Sequence, residues 1–126
     1  MRKFFNSQLA GLLIWMGIIF YLSSMQGNTP VENPPIRFFV IRKGAHIGEY
    51  FILMLLSLNY FKNLFLNNKA RIFIFSGLLS LTYAFSDEFH QLFVYGREGK
   101  IRDVGFDLIG IILAGVIGWF WMRRKK

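Results

Sequence analysis

IFIFSGLLSLTYAFSDEFHQLF, residues 72–93, decides how this chain is to be read. Its first part, Ile72 to Leu81, is almost wholly apolar and suits a helix that faces lipid. Asp87, Glu88, His90 and Gln91 then arrive within five positions. A helix that ends in water carries such groups at no cost. A helix still inside a membrane carries them only where they have work to do.

Composition favours the membrane. The chain has 126 residues, the length of a single domain, and 1–126 is read as one transmembrane unit. It is 54% hydrophobic and 18% aromatic with a mean hydropathy of +0.40, well above a soluble domain of this size. The absence of cysteine excludes a disulfide framework, a thiolate zinc centre and a cysteine nucleophile. A net charge of +8 would suit nucleic acid, but the basic residues sit between long apolar runs, where they act as topology signals; no nucleic-acid partner is expected.

Working outward from residues 72–93, the pattern predicts an all-α, polytopic membrane bundle of four transmembrane helices. They cover about 8–25, 43–61, 70–94 and 103–122. Each approaches the roughly 17–25 residues that cross the hydrocarbon core. Pro30, Pro34 and Pro35 all fall in the first connection and none within a span. Arg2 and Lys3 before an apolar run also describe a signal peptide, but SSMQGNTP offers no small-x-small cleavage site, so the first span is expected to be retained.

Charge sets the expected orientation. Arg2 and Lys3, then Lys62, Lys69 and Arg71, then Arg123, Arg124, Lys125 and Lys126 form one set of nine basic residues with no acidic residue among them. The other side carries Arg37, Arg42, Lys43, Arg97, Lys100 and Arg102, together with all seven acidic residues. Basic residues mark the cytoplasmic side, so both termini are expected inside, in a cell membrane crossed several times. Every predicted span then contributes polar residues at the outer level: Ser23 and Ser24; Lys43, His46, Glu49 and Tyr50; Asp87 to Gln91; Arg102, Asp103 and Asp107.

Helical spacing sorts these residues into stripes. Lys43, His46 and Tyr50 share one face, with Glu49 beside them. Tyr83, Asp87 and His90 form a second, and Asp103, Asp107, Gly110, Ala114 and Gly118 a third. The third is acidic at its outer end and small below, which lets a neighbouring backbone approach closely. Plainer readings stand beside these. Ser23 and Ser24 could simply bond free carbonyls at a helix end, and Tyr50 and Tyr83 could be interfacial aromatics. Asp107 lies deeper and needs a basic partner or a proton; Lys43, His46, Arg97 and Arg102 are the available cations. An ion-pair network alone could explain much of the cluster.

Four segments together resemble the VanZ-like family of small bacterial membrane proteins: FYLSSMQG at 20–27, KGAHIGEYFIL at 43–53, SDEFHQLFVYGR at 86–97 and DVGFDLIGIILAG at 103–115. The family's lysine, histidine and glutamate-tyrosine fall on Lys43, His46, Glu49 and Tyr50. Its acidic-histidine-glutamine signature falls on Asp87, Glu88, His90 and Gln91, its following arginine on Arg97, and its paired last-helix positions on Asp103 and Asp107. Tyr95 stands where the family often has proline. The family is named for a protein that lowers susceptibility to the glycopeptide teicoplanin, so the resemblance implies an association with teicoplanin resistance.

Two classes of function fit. In the first, the chain acts from the outer leaflet on a lipid-linked or cell-envelope substrate. His46, Glu49, Asp87, Glu88, His90 and Asp103 would supply acid–base groups. Lys43, Tyr50, Gln91, Arg97, Arg102, Asp107, Ser23 and Ser24 would hold the substrate. The i, i+3 pairs His46/Glu49 and Asp87/His90 could ligate a divalent metal. In the second class the same residues bind a lipoglycopeptide, a lipid-linked cell-wall precursor, a lipid head group or a partner subunit without changing it. A carrier is disfavoured, because carriers place substrate near the midplane and these polar residues gather at one end.

Overall fold

A computed structural model of the chain describes residues 2–24, 36–66, 68–93 and 101–124, with backbone alone at 2, 4, 5, 36, 38, 39 and 101–103. Four helices account for nearly all of it: α1 (Arg2–Ser24), α2 (Ile36–Leu64), α3 (Lys69–Gln91) and α4 (Ile101–Arg124). Among the described residues there is no strand. The second helix starts seven residues before the expected Lys43, because Ile36 to Arg42 continue its turns; Val40 and Ile41 in that extension are exposed. At the other end of α2 the chain turns at once into α3. Asn68 caps α3, its side-chain carbonyl accepting from the backbone N–H of Arg71 at 3.1 Å.

The distribution of polarity is inverted relative to a water-soluble bundle. Buried polar or charged side chains include Ser23, His46, Ser57, Ser76, Ser80, Asp87, Glu88, Gln91 and Asp107. Leu13, Ile14, Ile18, Phe20 and Tyr21 of α1, Ile74, Phe75, Leu78, Phe85 and Phe89 of α3, and a longer series on α4 are exposed. An apolar exterior of that extent belongs in lipid. Three helices are long and apolar enough to cross a membrane, over Asn6–Ser24, Lys69–Gln91 and Val104–Arg124. α2 has the length, at 29 residues, but carries His46, Glu49, Asn59 and Lys62 along it.

Packing explains how α2 tolerates them. α2 touches each of the other three helices, most extensively α4, whereas α1 and α4 do not meet among the described residues. α2 and α3 form the short diagonal of a rhombus, with α1 and α4 on either side. Little of α2 therefore needs to be apolar for the sake of lipid. In a bilayer, helices gain nothing from hiding apolar surface from water, so close van der Waals contact and interhelical hydrogen bonds must hold them. Small residues supply the first. On α3, Ser76, Ser80 and Ala84 recur every four residues and are buried, with Ile72 above them in sequence. On α4, Gly110, Ala114 and Gly118 do the same.

Gly110 is where the backbones meet. A methyl group there would lie 2.2 Å from the carbonyl oxygen of Ile47 and 3.0 Å from the amide nitrogen of Phe51. At Gly118 the obstruction is Leu58 Cδ1 at 2.7 Å, the tip of a side chain that can turn away. Interhelical bonds supply the second kind of hold. Trp15 Nε1 donates to the carbonyl of Glu49 at 2.9 Å, and Tyr83 Oη donates to the carbonyl of Met16 at 2.5 Å, tying α1 to α2 and to α3. Asn63 of α2 donates to Gln8 of α1 near the opposite end.

That opposite end gathers Lys62 and Lys69 with Trp119 and Trp121. Lys62 Nζ lies 4.5 Å from the ring centre of Trp121, and Lys69 Nζ 6.0 Å from that of Trp119. Phe61, Phe65 and Phe75 stack across the α2–α3 turn.

The Gly110 contact makes a measurable difference between two glycines of one helix. Gly110→Ala must push α4 off α2 and is expected to cost about 1–3 kcal/mol. Gly105→Ala meets nothing within 4 Å and is expected to be neutral or slightly stabilising. Thermal unfolding of both variants in the same detergent checks this; equal midpoints would remove the α2–α4 contact from the account.

Candidate functional site

At the end away from Trp119 and Trp121, three helices bring ionisable groups together. On α2, Lys43, His46 and Tyr50 are successive turns of one face, and His46 is 8% exposed and Tyr50 fully buried. On α3, Asp87, Glu88 and Gln91 are all buried. On α4, Asp107 is fully buried one turn above Gly110. The closeness imposed at Gly110 carries directly to this level. His46 precedes Ile47, and its Nδ1 lies 2.9 Å from Asp107 Oδ1. With the carboxylate ionised, Nδ1–H is the donor.

Tyr50 makes the link to α3. Its hydroxyl donates to Asp87 Oδ2 at 3.2 Å and lies 3.5 Å from the carbonyl of Tyr83. Glu88, one residue on and rotated by about 100°, completes a group with the α2–α4 pair. Ligating atoms of His46, Glu88 and Asp107 all lie within 4.8 Å of one another. Lys43 stands at the rim, its Nζ 5.1 Å from the ring centre of Phe106.

His90 belongs to a different contact. Its Nε2 lies 2.9 Å from Ser24 Oγ, and its ring stacks on Phe20 with centroids 4.5 Å apart. Ser24 also bonds the carbonyl of Phe20 at 2.7 Å, so the helix-end role and the cross-helix role are held by one hydroxyl. On the α3 wheel, Tyr83 and His90 turn toward α1, Asp87 toward α2 and Glu88 toward the α2–α4 pair. The expected stripe Tyr83/Asp87/His90 is thus divided between two neighbours.

Of the residues singled out from the sequence, His46, Tyr50, Asp87, Glu88 and Asp107 come together across α2, α3 and α4. Ser24 and His90 pair on the α1 side. Ser23 is buried, and Gln91 is buried in the last turn of α3. Glu49 is half-buried, and its carbonyl takes the Trp15 bond. Of the four metal ligands expected, His46 alone is in the group of three, with Glu88 and Asp107 as the other two. Arg102 and Asp103 fall in the first turn of α4, but their side chains, and all of Arg97, lie outside the described residues. Sequence reasoning missed Trp15 and Phe20; the i, i+4 spacing of Phe20 to Ser24 was the available signal for the latter. An open groove of about 460 Å³ lies at the opposite end, between α2 and α4. Its lining is apolar apart from Asn59 and Lys62, so it offers no comparable acid–base chemistry.

The model of the VanZ/LLP1 family matches residues 9–122, from the first helix to the last turns of the fourth. The chain belongs to the VanZ/LLP1 family. No curated protein and no solved structure matches it. The matched region contains every residue of this VanZ/LLP1 chain named above at the polar end of the bundle. Together with the apolar exterior, membership makes it a VanZ-like membrane protein.

The two cross-helix contacts differ in strength. Tyr50 donates to a carboxylate in a buried position, whereas Ser24 and His90 make a half-buried, less charged bond. Tyr50→Phe is expected to cost about 1.5–3 kcal/mol and Ser24→Ala about 0.5–1.5 kcal/mol. Unfolding of the two variants side by side checks the order, and a greater loss at Ser24 would contradict it.

Proposed function

We propose that this VanZ-like chain crosses the bacterial cytoplasmic membrane four times with both termini inside. Its polar end then opens toward the outer leaflet, where it acts on a lipid-linked or other cell-envelope substrate. The observation that carries the reading is the convergence of His46, Tyr50, Asp87, Glu88 and Asp107 at one end of a bundle whose exterior is apolar. Ionisable groups are costly at membrane depth, and retaining five of them at one level favours a task there.

The orientation is supported by the basic residues, nine on one side with no acid among them, and by the Lys62–Trp121 and Lys69–Trp119 contacts at the corresponding end. His46, held by Asp107, is suited to move a proton, and Asp87, held by Tyr50, to orient a polar group. His90 and Ser24 form the wall on the α1 side. Lys43, Arg97 and Arg102 would meet a phosphate or carboxylate of an amphiphile arriving from the leaflet. The association of the family's naming protein with teicoplanin suits such a place, since a lipoglycopeptide and its lipid-linked target both present polar groups above an acyl chain.

A binding role is favoured by one feature: the acid–base groups already bond to one another, as a preformed receptor would hold them. Lipid and cell-wall precursor pools, compared with and without the protein, separate the two. A changed precursor or product supports chemistry. Unchanged pools with altered retention of teicoplanin support binding. Asp87→Asn and His90→Gln are expected to abolish the effect while membrane abundance stays near that of the wild type. Loss of the protein itself would mean that the cluster serves folding alone, the bond of buried Tyr50 to Asp87 being worth about 1.5–3 kcal/mol and that of half-buried Ser24 to His90 about 0.5–1.5 kcal/mol.

Orientation has its own test. The chain lacks cysteine, so single cysteines at Asn28, Asn67 and Gly99 can be labelled on intact cells with an impermeant thiol reagent. Positions 28 and 99 are expected to react and position 67 to remain protected. The opposite pattern would overturn the topology.

A further inference from the structure

We propose that His46, Glu88 and Asp107 form a divalent metal site, which deepens the reading of this end of the bundle as its working part. Three helices each supply one ligand, and the three ligating atoms lie within 4.8 Å of one another. All three side chains are buried: His46 is 8% exposed, Glu88 6% and Asp107 fully enclosed. The 2.9 Å between His46 Nδ1 and Asp107 Oδ1 is a hydrogen-bond distance; two ligands about 2.1 Å from a tetrahedral ion stand roughly 3.4 Å apart, so this pair opens by about half an ångström as the ion enters. Glu88, whose ligating atom lies within 4.8 Å of the other two, closes by up to about 1.4 Å to join them.

The donor set points the same way: one imidazole nitrogen and two carboxylate oxygens are groups that a divalent cation accepts as ligands. The proton that joins His46 to Asp107 leaves as the ion enters, since a ligating ring nitrogen must be free of its proton. One nitrogen and two oxygens are a borderline donor set that suits zinc or manganese better than magnesium, which prefers oxygen alone and keeps its waters. Three protein ligands leave a coordination position open to water or to an oxygen of a bound amphiphile, as in catalytic rather than structural zinc centres.

Two features fix the ligands before any ion arrives. Gly110 holds α4 against the backbone of Ile47, so Asp107 and His46 cannot drift apart. Tyr50 holds Asp87, which fixes the rotation of α3 and turns the neighbouring Glu88 toward the pair. The second histidine, His90, faces Phe20 and Ser24 on α1 and stands outside the group.

The test uses the full chain purified in detergent by a tag without histidine, stripped with a chelator and titrated with Zn2+ and, separately, Mn2+. Bound metal is measured by mass spectrometry after gel filtration, and the unfolding midpoint is recorded with and without the ion. The wild type is expected to retain about one ion per chain, the stoichiometry of three ligands around one centre, and to melt higher when loaded. Glu88→Gln and His46→Gln are expected to weaken binding by more than the about 10-fold that loss of an outer partner costs. His90→Gln is expected to bind as the wild type does. Glu88→Gln replaces a side chain by one of equal size, and its midpoint in chelator shows whether it is folded; should it not be, Asp107→Glu, which shifts a ligand while keeping it, takes its place and is expected to weaken binding. A wild type that retains neither ion, a folded Glu88→Gln that binds as tightly, or an equal loss in His90→Gln would each overturn the site. Because binding is read on purified protein without substrate, failure here leaves the precursor-pool result to decide the broader reading separately.

Discussion

The contact between Gly110 and the backbone of Ile47 governs the arrangement of the polar end. Lipid tails offer helices no reason to associate for the sake of apolar burial, so the depth of van der Waals contact must supply it. A side chain at position 110 would hold α4 away from α2 by the thickness of at least a methyl group. At 2.9 Å the His46–Asp107 bond tolerates no such displacement. One missing side chain thus sets the distance between two ionisable groups a turn away.

From that contact the placement of α2 follows. It is the one helix of the four without a span apolar enough to cross a membrane, and it touches all three others, as α3 also does. α1, α3 and α4 present Leu13, Ile14, Phe75, Leu78, Ile112, Leu113 and their neighbours outward, while α2 keeps His46, Tyr50 and Ser57 inside. Serines on α3 and α2 occupy inner positions where their small size matters more than their polarity. Ser57 returns its hydroxyl to the carbonyl of Leu53 at 2.8 Å, and Ser80 lies 3.7 Å from Met54 Sδ. The first bond satisfies a hydroxyl within its own helix, and the second uses the thioether of a neighbouring helix.

The polar end has two compartments rather than one row. His46, Glu88 and Asp107 form the deeper part against α4, and Ser24, His90 and Phe20 the part against α1, with Tyr50–Asp87 between them. An aromatic and imidazole wall lies on one side of this end and carboxylates on the other. That division gives the two histidines different surroundings and therefore different chemistry, one paired with a carboxylate and one with a hydroxyl and a ring. Membership of the VanZ/LLP1 family covers both compartments, since its match runs from residue 9 to residue 122.

Much of this could be read in the sequence. The lengths of the apolar runs predicted four helices within a few residues at most ends; α1 and α2 began six and seven residues before their expected starts, because Arg2 to Ser7 and Ile36 to Arg42 are mixed in character and still compatible with helix. Four-residue spacing on α4 marked Gly110, Ala114 and Gly118 as a face for close approach, and that face is where α2 lies. Periodicity also placed His46 and Tyr50 on one helix face, Asp87 on a second and Asp107 on a third, faces that could turn toward one another. It could not say which would touch which. A repeat of 3.6 residues fixes the angles between side chains on one helix, but the rotation of each helix against its neighbours comes from packing. Asp87 and His90 are therefore neighbours on the wheel, yet they bond to different helices, and Glu88, between them in sequence, is the one that joins His46 and Asp107. Composition and spacing determined the membrane bundle and its polar end; only the tertiary contacts, with Gly110 setting the separation and Tyr50 the rotation, decided the partners within it.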